Sequence, residues 1–376
     1  MKKATLKLTA LVMLLGSVAT VNAQTADPIN VVTTAVPFLR ISPDARSGGM
    51  GDVGIATSPD ANAGFWNLAK TPFATAKFAA AVTYTPWLND LDLKDVYLAS
   101  AAGYYKLDDN QALSLGFRYF SLGNIQFTDA AGTPLNSFRP REYSIDLGYS
   151  RKLGAKSGLG VAVRYISSDL AGGTVNGVSY KKGSSVAGDL HYFHNGLKEN
   201  GGGFNWGVTL SNLGAKIGYT SDDNQKDFIP ANLGIGGAYT KVFDADNKIT
   251  FAADVNKLLV PTPANLDDSA GLADYRSKGV VSSWFSSFSD GKGSEEFREI
   301  TASIGAEYWY KDQFAFRAGY FYESPLKGNR KYFTVGAGLK YNTVGLNFAY
   351  LLPSGSGVNR NPLSNTLRFS LIFEGK

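Results

Sequence analysis

The chain has 376 residues with 37 basic and 32 acidic side chains, two histidines and no cysteine, which excludes a disulfide scaffold, a cysteine-ligated metal centre and thiol catalysis. Its formal charge of +5 is no argument for a nucleic-acid partner: Lys2, Lys3 and Lys7 belong to a leader, and 37 basic residues less these three leaves 34 against 32 acidic ones.

The leader comes first. Met1-Lys2-Lys3 with Lys7 forms a positive start, "LTALVMLLGSVAT" an apolar middle, and Val21-Asn22-Ala23 a small-residue cleavage site before Gln24. Residues 1–23 therefore read as a secretory signal peptide. No later stretch reaches the roughly 18 continuous apolar residues of a spanning helix, so the exported chain is expected to have no helical anchor.

Residues 24–75 follow. They contain "SGGMGDVGIA", in which Gly49 to Gly54 matches the glycine fingerprint of a dinucleotide-binding turn. That motif works only between a strand and a helix. Here Pro43 and Asp44 stand where the strand belongs, and Pro59 interrupts what should be the helix. The segment reads instead as a plug lying in the lumen or under the mouth of a barrel, its glycines letting the backbone come close to the wall. Its motif residues are Arg46, Gly49, Gly51, Gly54, Asp60 and Asn67, with Asp60 expected to cap a short helix over Asp60–Lys70.

From residue 76 to 376 the pattern has period two. In "ALSLGFRYFSLG" Leu113, Leu115, Phe117 and Tyr119 alternate with Ser114, Gly116, Arg118 and Phe120, and in "EYSIDLGYS" Tyr143, Ile145, Leu147 and Tyr149 alternate with Ser144, Asp146 and Gly148. Comparable segments recur to "TLRFSLIF", giving about fourteen strands. The second face is small and neutral, and every ionic residue well inside a strand falls on it: Arg118, Asp146, Arg164, Asp189, Asp254, Glu307, Arg317, Lys340 and Arg368. A soluble sandwich has no reason to keep charges off one face, whereas a bilayer charges roughly 2 to 4 kcal/mol for Arg or Lys at its midplane. The nine groups read as a lumen charge network, structural pairing being weighed against a selectivity ring. Connections alternate short and long, as periplasmic turns and extracellular loops do, and Tyr84, Tyr149, Tyr239, Tyr308, Tyr341 and Tyr350 sit near strand ends where aromatic girdles belong. The fold class is all-β, a transmembrane antiparallel barrel of about 14 strands with an N-terminal plug, in the outer membrane.

Catalytic and metal chemistry find no purchase. His191 and His194, three apart on a strand, point to opposite faces and cannot share a metal. Asp189 and His191 share the inward face, the beginning of a barrel phospholipase arrangement, but no serine is marked as nucleophile. No enzyme, metal or cofactor is expected. The longest loop, Leu258 to Glu296, leaves Trp284, Phe285 and Phe288 without a strand. They form either a lid folded on the rim or the apolar centre of a partner interface; the next candidates are the loops Gly123 to Pro140 and Gly214 to Pro230.

Phe38 to Lys70, "SIGAEYWYKDQFAFRAGYFYESPLKGNRKYFTVGAGLKYN" and the closing "NPLSNTLRFSLIF" resemble the FadL-like outer-membrane barrels, and among them the PorV group of the type IX secretion system. One departure is Asn67-Leu68-Ala69 in place of Asn-Pro-Ala. The resemblance implies a fourteen-stranded, non-enzymatic barrel that takes cargo bearing a C-terminal signal domain from the translocon to the sortase and attachment-complex proteins. A FadL-type channel for hydrophobic small molecules is the alternative. Its apolar pocket would have to come from Phe38, Phe65 and Trp66, because the inward strand faces offer none.

Overall fold

The computed structural model describes residues 31–375 apart from 89–90, 92, 129–130, 176–177, 263–268, 292 and 353–362; the signal peptide lies outside the described residues. Fourteen strands close into one antiparallel barrel: β1 (Phe78–Pro86), β2 (Val96–Lys106), β3 (Gln111–Leu122), β4 (Arg141–Lys152), β5 (Ser157–Asp169), β6 (Gly183–His194), β7 (Gly203–Gly214), β8 (Asn232–Val242), β9 (Asn247–Leu258), β10 (Ile300–Tyr310), β11 (Phe314–Tyr322), β12 (Lys331–Tyr341), β13 (Val344–Leu351) and β14 (Leu367–Gly375). Each pairs with its sequence neighbours, and β1 pairs with β14 from Phe78↔Gly375 to Tyr84↔Phe369. Closure leaves no ladder edge unpaired, the condition for crossing hydrocarbon with strands.

Burial follows the alternation. Leu115, Leu147, Val163, Phe316 and Phe333 are exposed on the outer wall, while Arg118, Ser144, Arg164, Asp254, Glu307, Arg317 and Arg368 are buried on the inner face. One end carries tight turns, among them Tyr310 to Phe314, where Lys311 and Asp312 both have φ of 54° and the Gln313 N–H donates to the Tyr310 carbonyl. Positive φ at both central residues is the primed turn whose twist suits a hairpin.

The other end carries the long connections, and these are more ordered than loops read from composition. Three hold their own two-stranded hairpins: Ile125–Thr128 with Pro134–Phe138, Gly173–Val175 with Val178–Tyr180, and Ile217–Gly218 with Lys226–Asp227. The longest holds three helices, Ser269–Ser277, Val280–Ser286 and Gly293–Arg298.

Residues 36–75 lie inside the barrel. A 3-10 turn at Pro37–Arg40, a helical turn α1 (Ala45–Gly48), a second, α2 (Ala63–Trp66), and a 3-10 stretch at Leu68–Phe73 are linked by irregular backbone. Val36, Phe38 and Leu39 pack with Leu98, Phe120, Ile166 and Ile217 toward the long-loop end. Met50, Val53 and Ala56 pack with Ala238 and Ala252 on the opposite wall. The lumen is thus filled by the chain's own N-terminal segment.

Candidate functional site

The glycines that open the question of nucleotide binding answer it by contact. A Cβ placed on Gly319 would lie 2.0 Å from the Met50 carbonyl carbon and 2.2 Å from the Gly51 nitrogen; one on Gly305 would lie 2.4 Å from the Met50 oxygen. Gly51 has φ of +71°, and a Cβ there would meet the Tyr320 nitrogen at 2.6 Å. Backbone thus lies against backbone, which only glycine on both sides permits. Around the barrel Gly158 and Gly160 lie in the same way against the Ala69 backbone, while Gly236 and Gly207 leave room for the side chains of Ile55 and Asn67. Gly49 and Gly54 likewise face the Gly336 backbone and the Trp66 ring. The inward glycines of the strands are therefore the track on which the segment is laid.

Charge then fastens it. Arg46 makes a bidentate pair with Glu307 on β10, Nε to Oε2 at 2.9 Å and Nη2 to Oε1 at 2.7 Å, and its Nη1 donates to Asp60 at 2.8 Å. Burial works against the charged guanidinium, but Glu307 and Asp60 outweigh it and hold its pKa above the usual arginine range. Glu307 also accepts from Arg317 Nε at 2.7 Å, and Arg317 donates to Asn347. Asp254 on β9 accepts the backbone N–H groups of Gly54 and Ile55 at 2.7 and 2.9 Å. Asp52, with φ of 64°, takes Arg368 at 3.1 Å and the Tyr332 hydroxyl at 2.7 Å. On the facing wall Arg164 bridges Asp146 and Asp189, while Arg118 pairs with Asp146 at 3.6 Å and donates to the Leu39 carbonyl.

Eight of the nine lumen charges read from the sequence therefore enter connected pairs or N-terminal contacts. Lys340 does not: it is half-exposed at the short-turn end, paired with Glu374 at 2.5 Å, because its inward position falls at the end of β12 rather than at its centre. A second correction concerns Asp60, which does not cap a helix over Asp60–Lys70. The α-helical part is α2 alone, whose N-cap is Asn62, and the 3-10 stretch from Leu68 starts anew after Asn67; Asp60 accepts from the Asn62 N–H and spends its other oxygen on Arg46. Asn67 makes the break that Pro would otherwise make. Its extended backbone ends α2, and its side chain accepts from the Ala69 N–H at the start of the next turn.

Lys70 went unmarked in the sequence reading. Its Nζ is buried and donates to the Gly54 carbonyl at 2.6 Å and to Thr57 Oγ1 at 3.2 Å, with no carboxylate in bonding distance among the described residues. Burial pushes its pKa down to about 8. The signal was available in the sequence as the one charged side chain of the Leu68–Phe73 turn.

Two further groupings bear on chemistry. His191 is buried with both ring nitrogens lacking a hydrogen-bond partner among the described residues, and Nε2 stands 3.8 Å from Asp189. No hydroxyl is oriented by it, so a hydrolase arrangement is not assembled there. Asp290, Glu296 and Glu299 converge near the rim with oxygens within 4.8 Å of one another, but Lys257 bonds Glu296 and Glu299, and Lys327 bonds Glu299.

On the long loop, Ser283 and Ser287 are buried while Val281, Phe285 and Phe288 face outward, Phe285 with 73% exposure. Trp284 is half-buried. A helical turn with serines inside and phenylalanines outside is inverted relative to a surface helix, and on the loop's next helix Phe297 is 77% exposed.

The sequence profile of the type IX secretion system protein PorV matches residues 23–265. No curated protein matches the chain in sequence. Among solved structures the fold is similar to the Ralstonia pickettii toluene transporter TbuX, with TM-score 0.52, 11% identity, and 90% of this chain and 99% of that one covered. It is similar also to the monoaromatic hydrocarbon channel CymD (TM-score 0.51, 12% identity, 89% and 97% covered) and to the Pseudomonas putida toluene transporter TodX (0.50, 13%, 92% and 98%). Identities this low speak for the fold alone. With a profile match over well more than half its length and a closed fourteen-stranded outer-membrane barrel to carry it, the chain belongs to the PorV family of the type IX secretion system.

Proposed function

We propose that this barrel is the outer-membrane carrier of type IX secretion, binding the C-terminal signal domain of cargo and passing it from the translocon to the sortase and attachment-complex proteins. The observation that carries the reading is the occupied lumen: residues 36–75 fill the barrel, so traffic runs over its rim rather than through it. Residues 24–75 act as a plug held by Arg46, Gly49, Gly51, Gly54, Asp60 and Asn67. The long-loop end faces outward from the cell and both termini face the periplasm. The exposed side chains of Val281, Phe285, Phe288 and Phe297 supply the apolar centre of the docking surface, since large aromatics concentrate binding energy when a partner covers them. Nothing in this role calls for a cofactor or an enzymatic centre.

The second reading, a conduit for hydrophobic molecules, draws on the fold shared with the toluene transporters. Against it, an inner cavity of about 100 Å³ is lined by groups such as Arg40, Asp52, Arg164 and Asn212 and a second of about 380 Å³ at the long-loop end by Arg40, Glu323, Lys327 and Arg330, whereas an apolar hollow of about 640 Å³ lies on the outer wall around Tyr84, Phe316 and Phe348. Gentle extraction followed by mass spectrometry separates the two. Recovery of folded cargo and sortase supports the carrier; a stoichiometric hydrophobic small molecule, with no cargo, overturns it.

A further inference from the structure

Arg40, the last residue of the Pro37–Arg40 turn, stands where two cavities meet. The inner one, about 100 Å³, lies among Thr209, Ser211, Asn232 and Ser303; the outer one, about 380 Å³, opens among Val32, Thr33, Glu323 and Lys327 at the long-loop end. Both are walled by Arg40, Thr301 and Arg330.

The other ionic groups of these walls have partners. Arg330 holds Glu323 at 2.7 Å, Lys327 holds Glu299 at 3.1 Å, Arg164 holds Asp189 at 2.8 Å, and Asp52 holds Arg368 at 3.1 Å. The Arg40 guanidinium has no hydrogen bond or ion pair among the described residues, nor do the hydroxyls of Thr209, Ser211 and Ser303. A cation is not left unpaired in a confined space without cost. Burial, with Arg330 nearby, pushes the Arg40 pKa down to about 10 against the smaller pull of Glu323, which Arg330 already holds; Arg40 stays charged at neutral pH, and the two arginines share one carboxylate.

We propose that this chamber is a carboxylate-binding site, entered from the long-loop end, with Arg40 as its anchor and the three hydroxyls as secondary donors. The planar fork of arginine matches a carboxylate with two parallel hydrogen bonds. The class of anion follows from the charge count: one uncompensated cation neutralises a monoanion, while a phosphate dianion would leave a net negative charge beside Glu323 and Glu299. A carboxylate here belongs either to the free C-terminus of a peptide or to the head of an alkyl chain, and the outer cavity accommodates the first few residues or methylenes behind it.

The test is calorimetric titration of the full protein in a neutral maltoside detergent with four probes: a hexapeptide with a free C-terminus, the same peptide amidated, octanoate, and inorganic phosphate. The free-acid peptide or octanoate, or both, should bind at one site per chain, and whichever binds identifies the source. Arg40→Met should weaken that binding at least tenfold while the protein keeps its heat-modifiable mobility. Arg40→Lys, which keeps the charge and loses the fork, should give an intermediate loss, and it carries the test if Arg40→Met does not assemble. Absence of saturable carboxylate binding, equal binding to Arg40→Met and wild type, or binding of phosphate or the amide as strong as that of the acid would each overturn the assignment.

Discussion

Replacing Arg46 by Met should unfasten the N-terminal segment while leaving the barrel closed. The methionine fills most of the side-chain volume, but Glu307 loses its bidentate partner and keeps only Arg317, while Asp60, 7% exposed, loses its one ion pair. Removing one member of a buried pair costs about 3 to 5 kcal/mol. At about 1.4 kcal/mol per factor of ten, the undocked population should rise by roughly a hundred- to a few thousand-fold. The barrel contributes none of this loss, because its ladders do not pass through Arg46. In planar bilayers wild-type protein should show little steady conductance and the variant frequent open events; limited proteolysis should cleave residues 36–75 in the variant alone. Adding Asp60→Asn removes the stranded carboxylate and should recover part of the loss. A variant as closed and as protected as wild type would mean that the glycine contacts hold the segment and the ion pairs are incidental.

The glycine track has its own test: Gly319→Val places side-chain atoms where the Met50 and Gly51 backbone lies, so conductance should rise with no change in any charge, and an unchanged closed state would refute close packing as the cause. Lys70 gives a pH dependence. Its docked pKa of about 8 lies below the ordinary 10.5, so the undocked segment binds more protons between those values. Docking should then strengthen as pH rises from about 8 to 10.5 and be flat below 8; Lys70→Met should abolish the slope, and a flat wild-type profile would contradict the assignment. Replacing Phe285 and Phe288 by Ser should leave the barrel folded and heat-modifiable, since both face solvent, yet reduce capture of cargo signal domains or translocon in pull-downs; normal export and attachment would move recognition to the other long loops. For orientation, an epitope between residues 196 and 202 should be hidden on intact cells and one between 172 and 183 exposed, and the reverse accessibility would invert the topology.

The barrel was legible from residues such as Leu113 to Tyr119 because lipid and lumen make opposite demands on successive side chains, and a strand delivers them at period two. The same demand kept Arg118, Asp146, Arg164, Asp189, Asp254, Glu307, Arg317 and Arg368 on one face, so their membership of the lumen was readable without coordinates. Height along the barrel was not: Lys340 has the right face and the wrong level, and only the register of β12 against β13, and of β13 against β14, puts it at the rim beside Glu374. Partners were not readable either. Arg46 and Glu307 are 261 positions apart, and nothing local joins them until closure brings β10 round to the path of the N-terminal segment. Likewise Asp60 carries the local chemistry of a cap but is claimed by a buried arginine, since an unpaired guanidinium in the lumen costs more than an uncapped four-residue turn. The sequence by itself determined the strand pattern and the sidedness of charge, because each is imposed by an environment acting on neighbouring residues. The tertiary structure alone decided which lumen charges pair, that Gly49 and Gly51 lie against Gly336 and Gly319 of the wall, and that Arg40 is left over, because these depend on distances between residues that the chain itself does not bring together.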